Sequence, residues 1–357
     1  MKTLGEHAAG RDNNFNLIRM LAASAVLLSH SWPIVYGPRT YEPLRDSWGF
    51  SLGTVAVLIF FAISGFFIAQ SFDRSRTLTS FLSARFLRIF PALATVVLLT
   101  VFVLGPTMTR YDLDWYFTTG ATYSYIWKNI TLFDLQFSLP GVFEDHSFPR
   151  GINGSLWTLF YEVSCYAMVV IVGLMGLLKP KRFPIFLLIF VAFLIVQSLA
   201  PAHSPLFRVK IFPIIAFAIG MAFYIYRDRI MLSPMIAAGL IAAAVLMRHT
   251  PAYIYIFIFA LSYTSFWLGH VGWLGKEYYN RLGDYSYGMY IFAFPIQQMV
   301  VEFLPNLGHY ALAAISFGIT LPVAVLSWYF IEHPALGRRE NLSNWLRLVL
   351  RRPSPAG

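Results

Sequence analysis

The sequence predicts an all-α polytopic membrane protein of about ten transmembrane helices, with both termini in the cytoplasm. Three observations carry that expectation. Hydrophobic residues make up 57% of the 357 and charged residues only 12%, about half the charged share of a soluble protein. Apolar runs of about 20 residues, enough to span roughly 30 Å of hydrocarbon, recur along the whole chain. The 27 Lys and Arg residues gather between alternate runs, as the positive-inside rule requires.

Taken in order, the runs cover residues 17–36, 51–72, 89–106, 154–178, 183–200, 211–226, 231–247, 252–270, 285–304 and 310–331. The first contains Arg19 and is followed by no small-residue cleavage site, so it is not expected to be a cleaved signal. With the N-terminus inside, 19 of the 27 basic residues face the cytoplasm. That bias accounts for most of the net charge of +10. A nucleic-acid interface is excluded, because the basic residues flank spans and form no separate domain. The single Cys165 excludes internal disulfides and cysteine-based metal sites. The expected organisation is one transmembrane domain over 1–334 and a basic cytoplasmic tail over 335–357. Within the domain, 107–152 forms an extracytoplasmic loop rich in aromatic residues such as Trp115, Tyr123, Tyr125 and Trp127. Such a loop suits a lid or an acceptor surface, and equally an aromatic belt at the headgroups.

Ionisable side chains inside apolar runs are costly and mark candidate sites. Arg19 and His30 share the first run. Eleven residues apart, they lie on one helix face about 16 Å apart along the axis. Glu162 enters the fourth run from the outer side, at a depth comparable to that of His30. Arg85 and Arg88, spaced by three, put two guanidinium groups on one face at the cytoplasmic end of the third run, a geometry suited to phosphate. Arg74 and Arg76 read as positive-inside anchors.

Six blocks then resemble the bacterial acyltransferase-3 family of integral membrane O-acyltransferases. They are Arg19 with His30, Phe60-Phe61-Ala62-Ile63-Ser64-Gly65, Arg85-x-x-Arg88-Ile89-Phe90-Pro91, Asn153-Gly154-Ser155-Leu156-Trp157 through Glu162, Gly283-Asp284-Tyr285-Ser286-Tyr287 through Tyr290, and Ile331-Glu332-His333-Pro334. They follow the family's order over 14–334. The chain departs from the family pattern in three places: asparagines around Asn14-Phe15-Asn16, Gly53-Thr54-Val55 for Gly-Val-Asp, and Phe292-Ala293-Phe294-Pro295 for Trp-His-x-Pro. The hydrolase-like domain fused to some relatives is not expected here.

The resemblance implies transfer of an acyl group, acetyl above all, from cytoplasmic acetyl-CoA to a hydroxyl of a carbohydrate acceptor at the outer side of a bacterial inner membrane. The acceptor would be a surface polysaccharide, lipopolysaccharide or lipid-linked sugar. His30 is the expected general base, or else the carrier of a covalent acyl group; direct transfer needs one step fewer. Glu162 is expected to orient the imidazole or bind the acceptor. Arg19, Arg85 and Arg88 are expected to hold the phosphates of the donor, and Ser155, Trp157 and Tyr161 to line the acceptor path. No metal is expected. The implied partners are acyl-CoA, a glycan or glycolipid, and membrane lipids; an oligomer is compatible with the sequence. The alternative is a transporter or flippase that uses Arg19, His30 and Glu162 as an intramembrane path.

Overall fold

The computed structural model describes residues 2–8, 13–40, 42–199, 205–270 and 279–350. Arg11, Lys276, Arg351 and Arg352 of the basic tally lie outside the described residues. Among those described, every regular element is a helix, with two isolated bridges, Thr3 to Met231 and Thr109 to Val142.

In chain order the helices are α1 (Leu4–Ala8), α2 (Phe15–Tyr36), α3 (Arg45–Trp48), α4 (Leu52–Arg74) and α5 (Leu78–Leu99). The last runs through a π-helical turn, Thr100–Leu104, into α6 (Gly105–Met108). Then come α7 (Leu113–Thr118), α8 (Gly120–Thr131) and α9 (Trp157–Leu174), α9 being led in by a 3-10 turn, Gly154–Leu156. They are followed by α10 (Phe183–Leu199), α11 (Pro205–Ile225), α12 (Pro234–Leu246) and α13 (Tyr253–His270). The chain closes with α14 (Ser286–Phe303), α15 (His309–Ser327), a second π-helical turn (Trp328–Glu332), α16 (His333–Gly337) and α17 (Arg339–Leu350).

Each of the ten apolar runs coincides with a helix. Among the described residues, five stretches are long and apolar enough to cross a membrane: Phe15–Tyr36, Leu52–Arg74, Leu78–Met108, Gly154–Leu174 and His309–Gly337. Three others are shorter apolar helices, at Phe183–Gln197, Lys210–Ile225 and Pro234–Leu246. The expected tail contains α17, and the long 107–152 loop is built on α7 and α8. Both helices of the loop are anchored by buried tyrosines. Tyr116 donates to Val101 O at 2.9 Å, and burial pushes the phenols of Tyr116 and Tyr125 well above their ordinary range.

The chain divides into two compact units. The first takes residues 1–22, 54–74 and 161–283. Here α4 and α11 touch backbone to backbone. A Cβ on Gly65 would lie 2.0 Å from Phe217 O, and one on Gly220 2.0 Å from Ala62 O. Apolar helices that gain little from burying more apolar surface associate through such close approaches. Around them, Phe15, Phe66, Phe67, Phe223 and Phe266 pack edge-on or tilted at 5.1–5.5 Å. Asn14 fastens the start of α2 to α13, its amide donating to Leu268 O at 3.1 Å.

The second unit takes residues 23–53, 75–160 and 284–357. Its α2 portion ends at Gly37, whose φ of +93° suits glycine. Gln297 of α14 holds that portion in place, donating to Leu27 O and Ser31 Oγ, both at 2.8 Å. Farther along α14, Gln298 donates to Phe148 O (3.1 Å) and Gly151 O (2.7 Å). His146 Nδ1 lies 2.8 Å from Gln298 Oε1 and its Nε2 2.7 Å from Glu302 Oε2. These contacts tie the end of the 107–152 loop to α14.

Candidate active site

His30 sits in the second unit, on the α2 face turned to α14. Its ring meets Phe294 edge-on, with centroids 5.2 Å apart. Phe294 in turn meets Phe148 of the 107–152 loop at 5.6 Å, and a Cβ on Gly154 would lie 2.7 Å from the Phe294 ring. The Nδ1 of His30 is buried and has no hydrogen-bond partner. A buried polar atom left unsatisfied is costly and calls for an explanation; an atom that works on a substrate proton supplies one. On either side of His30, Ser29 Oγ donates to Glu42 Oε2, while Ser31 Oγ donates to Leu27 O at 3.2 Å. The backbone around the imidazole is thus held by polar side chains, and the imidazole itself packs on the Phe294 ring.

Ser155 is a second such position in this unit. Its N–H is capped by Asn153 Oδ1 at 3.2 Å, and its carbonyl accepts from Tyr290 OH at 3.1 Å and Thr158 Oγ1 at 3.3 Å. Its Oγ is buried without a partner. Trp157 is half-buried at the start of α9.

Arg88 lies on α5 in the same unit and is engaged by two acids. Its Nη2 is 2.5 Å from Asp284 Oδ2 and its Nη1 3.5 Å from Glu332 Oε2. Asp284 also accepts from Ser286 Oγ at 2.5 Å, and Glu332 from Ser327 Oγ at 2.9 Å. Tyr287 donates to Ile89 O at 2.9 Å, with its ring 5.7 Å from the Arg88 guanidinium. Three blocks that are far apart in sequence therefore meet at Arg88: its own, the Asp284–Tyr290 block and the Ile331–Pro334 block. Arg85 lies one turn before Arg88, half-buried.

Arg19, Tyr161 and Glu162 belong to the first unit. The Arg19 guanidinium lies 5.4 Å from the Phe67 ring centroid. Glu162 Oε1 accepts from Tyr166 OH at 2.5 Å, one turn on along α9. Arg19 and His30 do share one continuous helix, α2.

Sequence reasoning missed Asp284 and Glu332 as the partners of Arg88, and Phe294, Gln297 and Glu42 as the surroundings of His30. An acid at the end of an apolar run is itself a signal that a buried base is near. Nothing comparable marks Phe294, one phenylalanine among 33.

A family model described as an acyltransferase domain, acyltransferase-3, matches residues 12–331. The chain belongs to the acyltransferase-3 family. It is an acyltransferase with several apolar helices, a multi-pass membrane protein. Its similar relatives include an "O-acetyl transferase" of Shigella phage Sf6, 29% identical over 335 residues, which cover 92% of this chain and 97% of that protein. "Nodulation protein 10" of Rhizobium leguminosarum bv. viciae is also 29% identical, over 94% of this chain and 96% of its own length. No solved structure matches the chain.

Proposed function

We propose that this acyltransferase moves an acetyl group from cytoplasmic acetyl-CoA to a hydroxyl of a carbohydrate acceptor at the outer face of the bacterial inner membrane. The observation that carries the reading is the buried, unpartnered Nδ1 of His30. A neutral imidazole with one nitrogen bare can take the proton of an acceptor hydroxyl as that oxygen attacks the thioester carbonyl. The thiolate of coenzyme A then leaves, and the proton passes to it from the imidazolium. An O-acetyl ester and free coenzyme A result, with no other reactant.

The donor is a polyanion on a long pantetheine arm. Along α2, Arg19 and His30 are separated by about 16 Å at 1.5 Å per residue, a span that such an arm covers. Arg19 and Arg85 are assigned to the phosphates, with Arg88, a cation fixed by Asp284, beside Arg85 on α5. Ser155, Trp157 and Tyr161 are assigned to the acceptor, and Glu162 to acceptor binding or imidazole orientation. The relative named as an O-acetyl transferase supports acetyl as the group moved. All ten helices that coincide with apolar runs are assigned to the bilayer, and the basic bias supports termini in the cytoplasm.

The test is transfer of labelled acetyl from acetyl-CoA to membrane glycolipids by the purified protein in vesicles. The wild type is expected to label them and His30→Ala to fail. Labelling by His30→Ala at the wild-type rate would overturn the assignment of the base.

A further inference from the structure

The helix α17 is amphipathic the wrong way round for a surface in water. Its polar side faces the protein. Arg339 donates to Ser80 Oγ (2.9 Å) and Ser80 O (3.3 Å), and Arg347 to Thr77 Oγ1 (2.7 Å) and Thr79 Oγ1 (3.2 Å). Between them, buried Ser343 shares a hydrogen bond with Thr79 at 3.1 Å. The positions 339, 343 and 347 form one stripe at helical spacing.

The opposite stripe is apolar and outward. Trp345 is 58% exposed, Leu348 69% and Val349 60%. A helix at a water-facing surface turns such a stripe to the core. The segment 338–352 carries five arginines (Arg338, Arg339, Arg347, Arg351 and Arg352) against one acid, Glu340. It follows directly on the last candidate span, His309–Gly337. An apolar stripe with Trp and Leu, flanked by cations and joined to a span, has the make-up of a helix lying in the lipid–water interface.

We propose that α17 lies in that interface, its Trp345–Leu348–Val349 stripe in the acyl boundary and Arg338 on the headgroups of anionic lipids, the charge that Arg351 and Arg352 add in the sequence strengthening the attraction. A second copy of the chain is a poor occupant of the stripe. Two such segments meeting face to face would bring ten arginines together, twice the five of one copy. Because Arg339 and Arg347 hold Thr77, Thr79 and Ser80, the lipid-bound helix also braces the first turn of α5. Thr77 caps that turn, accepting from the Ser80 N–H at 3.3 Å. The inference is independent of the acetyl-transfer reading, and its test measures no transfer.

The experiment uses the full chain with Cys165→Ala and a nitroxide on Leu348→Cys, or on Glu340→Cys as the comparison. The protein is held in lipid nanodiscs of phosphatidylcholine, with or without phosphatidylglycerol. Oxygen and a water-soluble nickel chelate serve as relaxing agents. The label at 348 is expected to be open to oxygen and shielded from nickel, and the label at 340 the reverse. Phosphatidylglycerol should deepen the label at 348. The triple change Arg338→Gln, Arg351→Gln and Arg352→Gln should weaken that preference by about fivefold per arginine removed. Nickel access at 348 would place the helix in water and overturn the proposal. Shielding from both agents would mean a protein partner and overturn it too. A depth indifferent to phosphatidylglycerol would overturn the anionic-headgroup assignment.

Discussion

Arg88 and Asp284, 196 residues apart in the chain, meet at 2.5 Å through Nη2 and Oδ2. Glu332, only 1% exposed, stands on the other side of the same guanidinium. One cation thus answers two carboxylates and closes α5, α14 and the turn after α15 on one another within the second unit.

Removing that cation strands a buried acid. Arg88→Ala is expected to cost about 3–5 kcal/mol of stability, the range for breaking one side of a buried ion pair. Arg88→Ala with Glu332→Gln should recover much of it. The readout is thermal unfolding in detergent, followed by a thiol-reactive dye on Cys165. That thiol is the only one in the chain and is buried, so it reacts only on unfolding. Equal melting temperatures for wild type and Arg88→Ala would refute the expectation.

His30→Gln keeps a polar side chain of similar length but cannot serve as the base. Transfer should fall about 10²–10⁴-fold, the usual worth of general-base catalysis, while acetyl-CoA binding measured by calorimetry stays within about twofold. Arg85→Ala is expected to do the opposite and weaken donor binding first. A His30→Gln protein that loses donor binding as well would remove this division of labour.

Phe294→Leu should loosen the His30 ring without touching its chemistry. Since misplacing a catalytic group by about 1 Å can cost about 10²-fold, kcat is expected to fall by one to two orders of magnitude. Phe294→Tyr, which keeps the ring, should retain most activity. Equal activity in the leucine and tyrosine variants would show that the edge-on contact does not matter.

Gln298 makes three hydrogen bonds to the end of the 107–152 loop, to His146, Phe148 and Gly151. Gln298→Leu leaves two carbonyls and an imidazole without their partner, for a loss of about 1–3 kcal/mol. Hydrogen exchange should rise in residues 143–153 and not in α8. Unchanged protection of that segment would count against the tether.

Gly220→Ala sets a methyl 2.0 Å from Ala62 O, and backbone cannot swing aside as a side-chain tip can. A destabilisation of about 3 kcal/mol is expected, the upper part of the usual range for overpacking. Gly239→Ala, in α12 with nothing near its added carbon, is the matched control on the same dye assay. Similar melting points for the two variants would sink the close-approach argument.

The long apolar runs announced their helices because hydrocarbon demands length and composition, and little else satisfies that demand. Residues 285–304, for instance, became Ser286–Phe303. The start of α5 was less legible. The apolar run begins at residue 89, yet the helix begins at Leu78, since its first turns carry Arg85 and Arg88 and bind α17 through Ser80. Hydropathy reports what faces lipid, and these turns face other polar groups. His30 and the arginines stood out as charges in an apolar chain. Their neighbours did not, because a contact such as Arg88 with Glu332, 244 residues away, leaves no local trace in a single sequence.

The π-helical turn at Thr100–Leu104 decides how the 107–152 loop is aimed. Such a turn holds one residue more than a regular helix needs, and each residue advances the chain by about 100°. Everything after it, from Gly105 to the docking of Tyr116 on Val101, is therefore rotated by that amount relative to the stretch that carries Arg85 and Arg88. Deleting one residue from 100–104 would restore an ordinary helix and swing the loop's attachment to another side of α5. The bearing of the 107–152 segment is encoded as a single surplus amino acid.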